Sequence, residues 1–147
     1  MKAVVQRVSR AAVKVDGETI GQIDRGLLVL LGIGKADTET DADWMINKLL
    51  NLRIFPDDTD KMNHSVTDIR GGILIVSQFT LYGDVRKGTR PSFSNAMPPV
   101  EAERFYNGFM AKFRKATSLT VAEGKFAAMM DVELVNDGPV TIILESH

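Results

Sequence analysis

The chain has 147 residues, 44% hydrophobic and 25% charged, the size and balance of one globular domain with its own core. It has no cysteine, which excludes disulfides, thiolate metal sites and a thiol nucleophile. The formal net charge is -1, so any contact with nucleic acid has to use a local basic patch rather than bulk charge.

No apolar run approaches the roughly 18 residues that a membrane helix needs. The opening Met1-Lys2-Ala3-Val4-Val5 enters an alternating pattern without a signal-peptide core, and a cytoplasmic location fits. Residues 2–8 and 11–15 read as two strands joined at Ser9-Arg10. Asp16-Gly17 is a hairpin turn signal, and residues 19–23 return as a third strand. After a turn at Asp24-Arg25-Gly26, the continuous apolar run 27–31 suits a central strand buried on both faces.

Residues 38–52 have helical spacing, with Ala42, Met45, Ile46, Leu49 and Leu52 on one face and capping candidates in Thr38-Glu39-Thr40-Asp41. Residues 56–60 read as a loop, and Gly71-Gly72 precedes a strand at 73–76. Residues 82–99 are loop-like, with Pro99 suited to the first turn of a helix that runs to about Ala116. Ala102, Phe105, Phe109 and Phe113 form its core stripe. Residues 129–135 and 140–144 are the last two strands. The pattern predicts a single α/β domain over 1–147, with layered antiparallel and mixed sheets covered by two main helices and antiparallel hairpins at both ends of the chain.

The chemistry-bearing residues are few. His64 and His147 are the only imidazoles. Neither lies in a triad-like context, both read as solvated surface residues, and no metal-ligand spacing is present. Gly32-Ile33-Gly34-Lys35 lacks phosphate-loop spacing and reads as a turn. Arg86-Lys87-Gly88-Thr89-Arg90 is the densest basic cluster, either a solvated loop or a grip on a nucleic-acid backbone through Arg86, Lys87 and Arg90. Arg104, Lys112, Arg114 and Lys115 could extend it.

Two segments remain. Ser77-Gln78-Phe79-Thr80-Leu81 turns polar where the strand 73–76 ends. It is either a strand terminus with its polar groups paired or an oxyanion hole built from consecutive amides, with Thr80 adding a hydroxyl. Asn136-Asp137-Gly138-Pro139-Val140-Thr141 places a Gly-Pro between strand-like runs, and by itself reads as a turn.

Together these segments resemble the D-aminoacyl-tRNA deacylase (D-tyrosyl-tRNA deacylase) family almost end to end. The resemblance includes Gln6-Arg7-Val8-Ser9-Arg10-Ala11, Asn51-Leu52-Arg53-Ile54-Phe55, Ser77-Gln78-Phe79-Thr80-Leu81, Arg90-Pro91-Ser92-Phe93 and Asn136-Asp137-Gly138-Pro139-Val140-Thr141. One departure is Ala127, where the family often carries glycine. The resemblance implies hydrolysis of the ester between a D-amino acid and the 3′ end of tRNA, without metal or cofactor. It implies a homodimer with active sites at the subunit interface. It further implies a cis Gly138-Pro139 pair that reaches into the partner's pocket and is held by Arg7. Ser77, Gln78, Phe79, Thr80 and Ala102 line that pocket. The same resemblance leaves Thr80 as either a nucleophile or a positioning residue. A pocket that rejects L side chains by steric clash cannot reject glycine, so activity on glycyl-tRNA is expected as well.

Overall fold

The computed structural model describes residues 1–147. The two strands expected at the start are one, β1 (Lys2–Val15). The polar Ser9-Arg10 pair does not end it, because shifts of register against the last strand, around Val8, absorb the irregularity. Asp16 and Gly17 both have positive φ, 51° and 80°, which closes a tight hairpin to β2 (Glu18–Ile23). β1 pairs antiparallel with β2 along its second half and with β3 (Gly26–Gly32) along its first. β3 pairs parallel with β6 (Gly72–Ser77), and β6 pairs parallel with β7 (Val121–Glu123). β4 (Phe55–Pro56) and β5 (Met62–His64) make a small separate hairpin around the expected loop. These last two strands and β7 are too short to leave a periodic signature.

The C-terminal expectation needs correction. Residues 129–135 and 140–144 are not two strands of a hairpin but one strand, β8 (Asp131–Glu145), antiparallel to β1 along nearly its whole length. β1 supplies hydrogen-bonding partners on both sides of the Gly138-Pro139 bend, so the chain crosses the bend without leaving the sheet.

Both faces of the six-stranded sheet are buried. One lies under α1 (Glu39–Asn51) and α2 (Pro99–Ala116). α1 buries Ala42, Met45, Ile46, Leu49 and Leu50; Leu52, expected in that stripe, is the residue that caps the helix. α2 buries Ala102, Tyr106, Phe109, Met110 and Phe113, with Tyr106 taking the place expected of Phe105. Lys112 of α2 joins the helices by pairing with Glu39 and Asp43 of α1 at 2.6 and 2.9 Å. The opposite face curls on itself around Val8, Val13, Ile23, Leu28, Leu74 and Val76. At the N-terminal ends of β3 and β6 the backbones touch: a Cβ on Gly26 would lie 1.8 Å from the Gly72 carbonyl oxygen, so no side chain fits there.

The chain ends are tied to the same core. The Met1 ammonium is fully buried and donates to Asp37 at 2.5 Å and to Ser146 at 2.6 Å. The other Asp37 oxygen accepts the Gly34 amide at 2.6 Å. His147, expected to be free in solvent, places its Nε2 3.0 Å from Asp37 and 3.5 Å from Asp41. Removing one partner of a buried pair strands the other charge. Asp37→Asn should therefore lower the unfolding free energy by about 3 kcal/mol, seen in urea as a lower midpoint at unchanged slope.

Candidate active site

β6 delivers Ser77 at the end of a ladder whose last bond runs from the Gln78 amide to the Leu31 carbonyl at 2.7 Å. The chain then tightens into a 3₁₀ turn, Phe79–Tyr82. The turn's own bonds begin with the Leu81 amide donating to the Gln78 carbonyl at 3.3 Å, so the Phe79 and Thr80 amides have no partner within the turn. Phe79 and Thr80 are exposed, while Ser77 and Gln78 are half-buried. The Gln78 side-chain amide donates to Thr80 Oγ1 at 2.5 Å. That contact fixes the hydroxyl but supplies no proton acceptor, and no histidine, lysine or carboxylate is hydrogen-bonded to Thr80.

α2 begins at the same end of the sheet. The Met97 amide donates to the Ile33 carbonyl and the Lys35 amide to the Asn95 carbonyl, both at 3.0 Å, which docks the segment before α2 onto the end of β3. Ala102 follows in the first turn of α2 and is buried. Phe93, on the loop before that segment, meets the Phe79 ring edge-on at 5.1 Å between centroids. Its position beside Phe79 was visible only as part of the Arg90-Pro91-Ser92-Phe93 motif.

Gly138 and Pro139 are exposed on β8, and the bond between them is cis. Arg7 Nε donates to the Asp137 carbonyl at 2.9 Å and Nη1 to the Ile54 carbonyl at 2.7 Å, so one guanidinium ties β1, β8 and the segment after α1. Asp137 also places its carboxylate 3.5 Å from Arg7. Asn136 has a structural role that the sequence did not single out. Its side chain accepts the Val140 amide at 2.8 Å and donates to the Val140 carbonyl at 3.1 Å, bridging the bend. Asparagine's paired donor and acceptor four residues before Val140 was the available signal.

The two segments do not meet within one chain. Gly138-Pro139 lies level with Arg7 and Val8, which pair with Leu27 and Gly26 and through them with Ile73 and Gly72. From Ile73 to Ser77 is about 13 Å along the strands, and three strand spacings across the sheet add about 14 Å.

The basic loop carries less free charge than its sequence promised. Arg86 forks onto Asp84, with Nη2 2.5 Å from Oδ2, and its hydrogen bonds hold the Asp84 carboxyl down at about 2. Lys87 and Arg90 are exposed and form no ion pair. His64 is half exposed and 3.8 Å from Asp68, in keeping with a solvated residue. Ala127 has φ of 63°, the left-handed region that glycine enters freely and alanine at a cost of about 1 kcal/mol, so the departure from the family pattern is a local one.

Gly138 has φ of 149°, and a Cβ there would lie 2.7 Å from the Val140 nitrogen and 2.9 Å from its Cγ2. Gly138→Ala should reduce the unfolding free energy by about 1–3 kcal/mol. Gly108, inside α2 with nothing within 4 Å of its Cβ position, is the control. There the same change should raise stability by about 0.5–1 kcal/mol, as read by chemical denaturation.

The fold and these segments have close counterparts. A family model described as D-Tyr-tRNA(Tyr) deacylase matches residues 4–145. Two D-aminoacyl-tRNA deacylases align over nearly their full length. The one from Thermosipho melanesiensis is 58% identical across 99% of this chain and 97% of its own. The one from Clostridioides difficile is 60% identical across the same shares. A solved structure titled c-Myc DNA Unwinding Element Binding Protein superposes with a TM-score of 0.94 at 52% identity, covering 99% of this chain and 98% of that one. A structure of a probable eukaryotic D-amino acid tRNA deacylase, only 17% identical, shares the fold with a TM-score of 0.84 over 97% of both chains. On a match that spans all but the first three and last two residues, the chain belongs to the D-Tyr-tRNA(Tyr) deacylase family.

Proposed function

We propose that the chain hydrolyses the ester of D-aminoacyl-tRNA, releasing tRNA and the D-amino acid, and leaves L-aminoacyl-tRNA intact. Membership of the family supports the reaction. The observation that carries the mechanism is that no proton-accepting side chain is hydrogen-bonded to Thr80, and the one carboxylate in either segment, Asp137, lies against Arg7, while both segments offer positioned backbone. The Phe79 and Thr80 amides, free of partners within their turn, stabilise the developing oxyanion. Gly138 and Pro139 present carbonyl oxygens to the substrate ammonium.

The site is completed across a homodimer. Ser77, Gln78, Phe79, Thr80 and Ala102 of one protomer form the pocket, and Gly138-Pro139 of the partner enters it, anchored by the partner's own copy of the Arg7 contact. The separation of the two segments within one chain supports this division. So does the exposure of Phe79, at 58%, in the strand-end segment and of Val100, at 74%, in the first turn of the helix that carries Ala102. Lys87 and Arg90 contribute to holding the tRNA, and Arg86 contributes little because Asp84 occupies its fork. The substrate places the protein with the translation machinery in the cytoplasm.

Chirality follows from fixed geometry. With the ammonium and ester both held, one direction remains open at Cα. A D side chain leaves the pocket through it, and an L side chain strikes the Gly138-Pro139 backbone. Discrimination costs about 1.4 kcal/mol per tenfold, and a rigid backbone clash supplies several such steps. Glycine has no side chain to clash and is hydrolysed too. Thr80 is held by the Gln78 amide with no base to activate it, so water attacks and Thr80 positions.

One panel tests this reading: D-tyrosyl-, L-tyrosyl- and glycyl-tRNA with wild-type protein and with Thr80→Ala. The expected result is rapid loss of the D-tyrosyl and glycyl esters, no loss of the L-tyrosyl ester above background, and at least a tenth of the wild-type rate in Thr80→Ala. Hydrolysis of the L ester at a rate similar to the D ester contradicts steric exclusion. A folded but inactive Thr80→Ala protein, or a trapped acyl-Thr80, contradicts the positional role.

A further inference from the structure

Away from the segments described above, a cavity of about 540 Å³ opens beside the turn between β2 and β3. Arg10 of β1, Arg25 of that turn and Arg70 of the segment before β6 all line it, with Gln22, Asp24 and Thr120. The three arginines are exposed, and none forms an ion pair. The one carboxylate in the lining, Asp24, is paired with none of them. Arg25 has only the Phe55 ring beneath it, at 5.5 Å, a contact that orients a guanidinium without neutralising it.

Three arginines without a carboxylate partner thus line one concavity in a chain of net charge -1, a local concentration of positive charge suited to an anion. Each is a planar fork of donors, the shape that binds phosphate oxygens in pairs. The contrast with Arg86 is direct, since its fork is already occupied by Asp84. The cavity has the volume of a nucleotide-sized site.

Its place in the fold selects the source of the phosphate. Arg10 lies three residues along β1 from Arg7, about 10 Å. The cavity is therefore at the end of the sheet that carries Gly138-Pro139, the segment that completes the partner's pocket. We propose that the Arg10, Arg25 and Arg70 cavity seats a backbone phosphate of the tRNA substrate and holds the acceptor arm while its ester occupies the neighbouring interface site. This rests on the deacylase reading and adds to it a second anchor, on the subunit that contributes Gly138-Pro139.

The test compares D-tyrosyl-tRNA with D-tyrosyl-adenosine, which has the ester and no phosphate. The proteins are wild type, the triple variant Arg10→Gln/Arg25→Gln/Arg70→Gln, and the corresponding triple lysine variant, which keeps the charge. In wild type the tRNA should have the lower KM. In the triple glutamine variant that gap should shrink by about ten- to hundredfold, with kcat on the tRNA changing less than threefold. The slope of log KM against log salt should flatten by about one, as expected when one phosphate contact is lost. The lysine variant should recover most of the slope. An unchanged KM gap and salt slope in the glutamine variant overturns the proposal. So does adenosine monophosphate that binds wild type at micromolar concentration, loses that binding in the variant, and leaves tRNA hydrolysis unaffected in both, which makes the cavity a free-nucleotide site. Wild-type protein that hydrolyses neither substrate fails the deacylase reading itself, and this proposal falls with it.

Discussion

The contact on which the rest of this structure depends is the Arg7 guanidinium. Its two donated bonds, to the Asp137 carbonyl at 2.9 Å and the Ile54 carbonyl at 2.7 Å, join segments distant in sequence. Without it, an exposed Gly-Pro on a long strand would have only the sheet ladder and Asn136 to set its position. With it, a piece of bare backbone becomes a rigid projecting feature. A site that selects by steric exclusion needs that rigidity, because a wall that yields by an ångström admits the wrong enantiomer. Arginine suits the role because its planar fork reaches two carbonyls at once, which a lysine ammonium on a flexible stem does less well.

The same architecture explains why the chain has so little conventional catalytic equipment. Its strand-end segment provides amides freed by a 3₁₀ turn and a hydroxyl held by an amide donor. Its Gly-Pro segment provides carbonyls. Backbone groups carry fixed partial charges and do not titrate near neutrality, so such a site holds its electrostatics over a wide pH range. The sheet keeps the segments apart in one protomer, and Phe79 leaves its ring exposed on the strand-end segment. Both features have a simple explanation if the working unit is two chains.

Much of this was legible in the sequence, and the failures have physical causes. The apolar run 27–31 and the helical stripe of 38–52 announced β3 and α1 because their periodicity reports burial directly. The stripe of α2 was read one residue off at Phe105, where Tyr106 is the buried ring, because spacings of three and four are equally helical. Ser9-Arg10 and Gly138-Pro139 read locally as breaks, since polarity and proline argue against strand continuation, yet β1 and β8 each continue by pairing with the other. That compensation is tertiary and leaves no local trace. Around the candidate site, the motifs singled out Arg7, Ser77, Thr80 and Gly138, but not the bridge made by Asn136 or the neutralisation of Arg86 by Asp84. The His147 contact with Asp37 joins residues 110 positions apart, beyond the reach of any local pattern.

The central claim is that each working site is assembled from two chains, and mixing subunits tests it most directly. Thr80→Trp blocks the pocket while leaving that chain's Gly138-Pro139 intact, and Gly138→Ala spoils the projection while leaving the pocket intact. Each variant alone should be inactive on D-tyrosyl-tRNA. Co-expressed, they form a mixed dimer with one complete site, and random pairing of symmetric protomers should restore about a quarter of the wild-type activity. A mixture that stays inactive despite demonstrated exchange of subunits, or a purified monomer with full activity, would contradict the account.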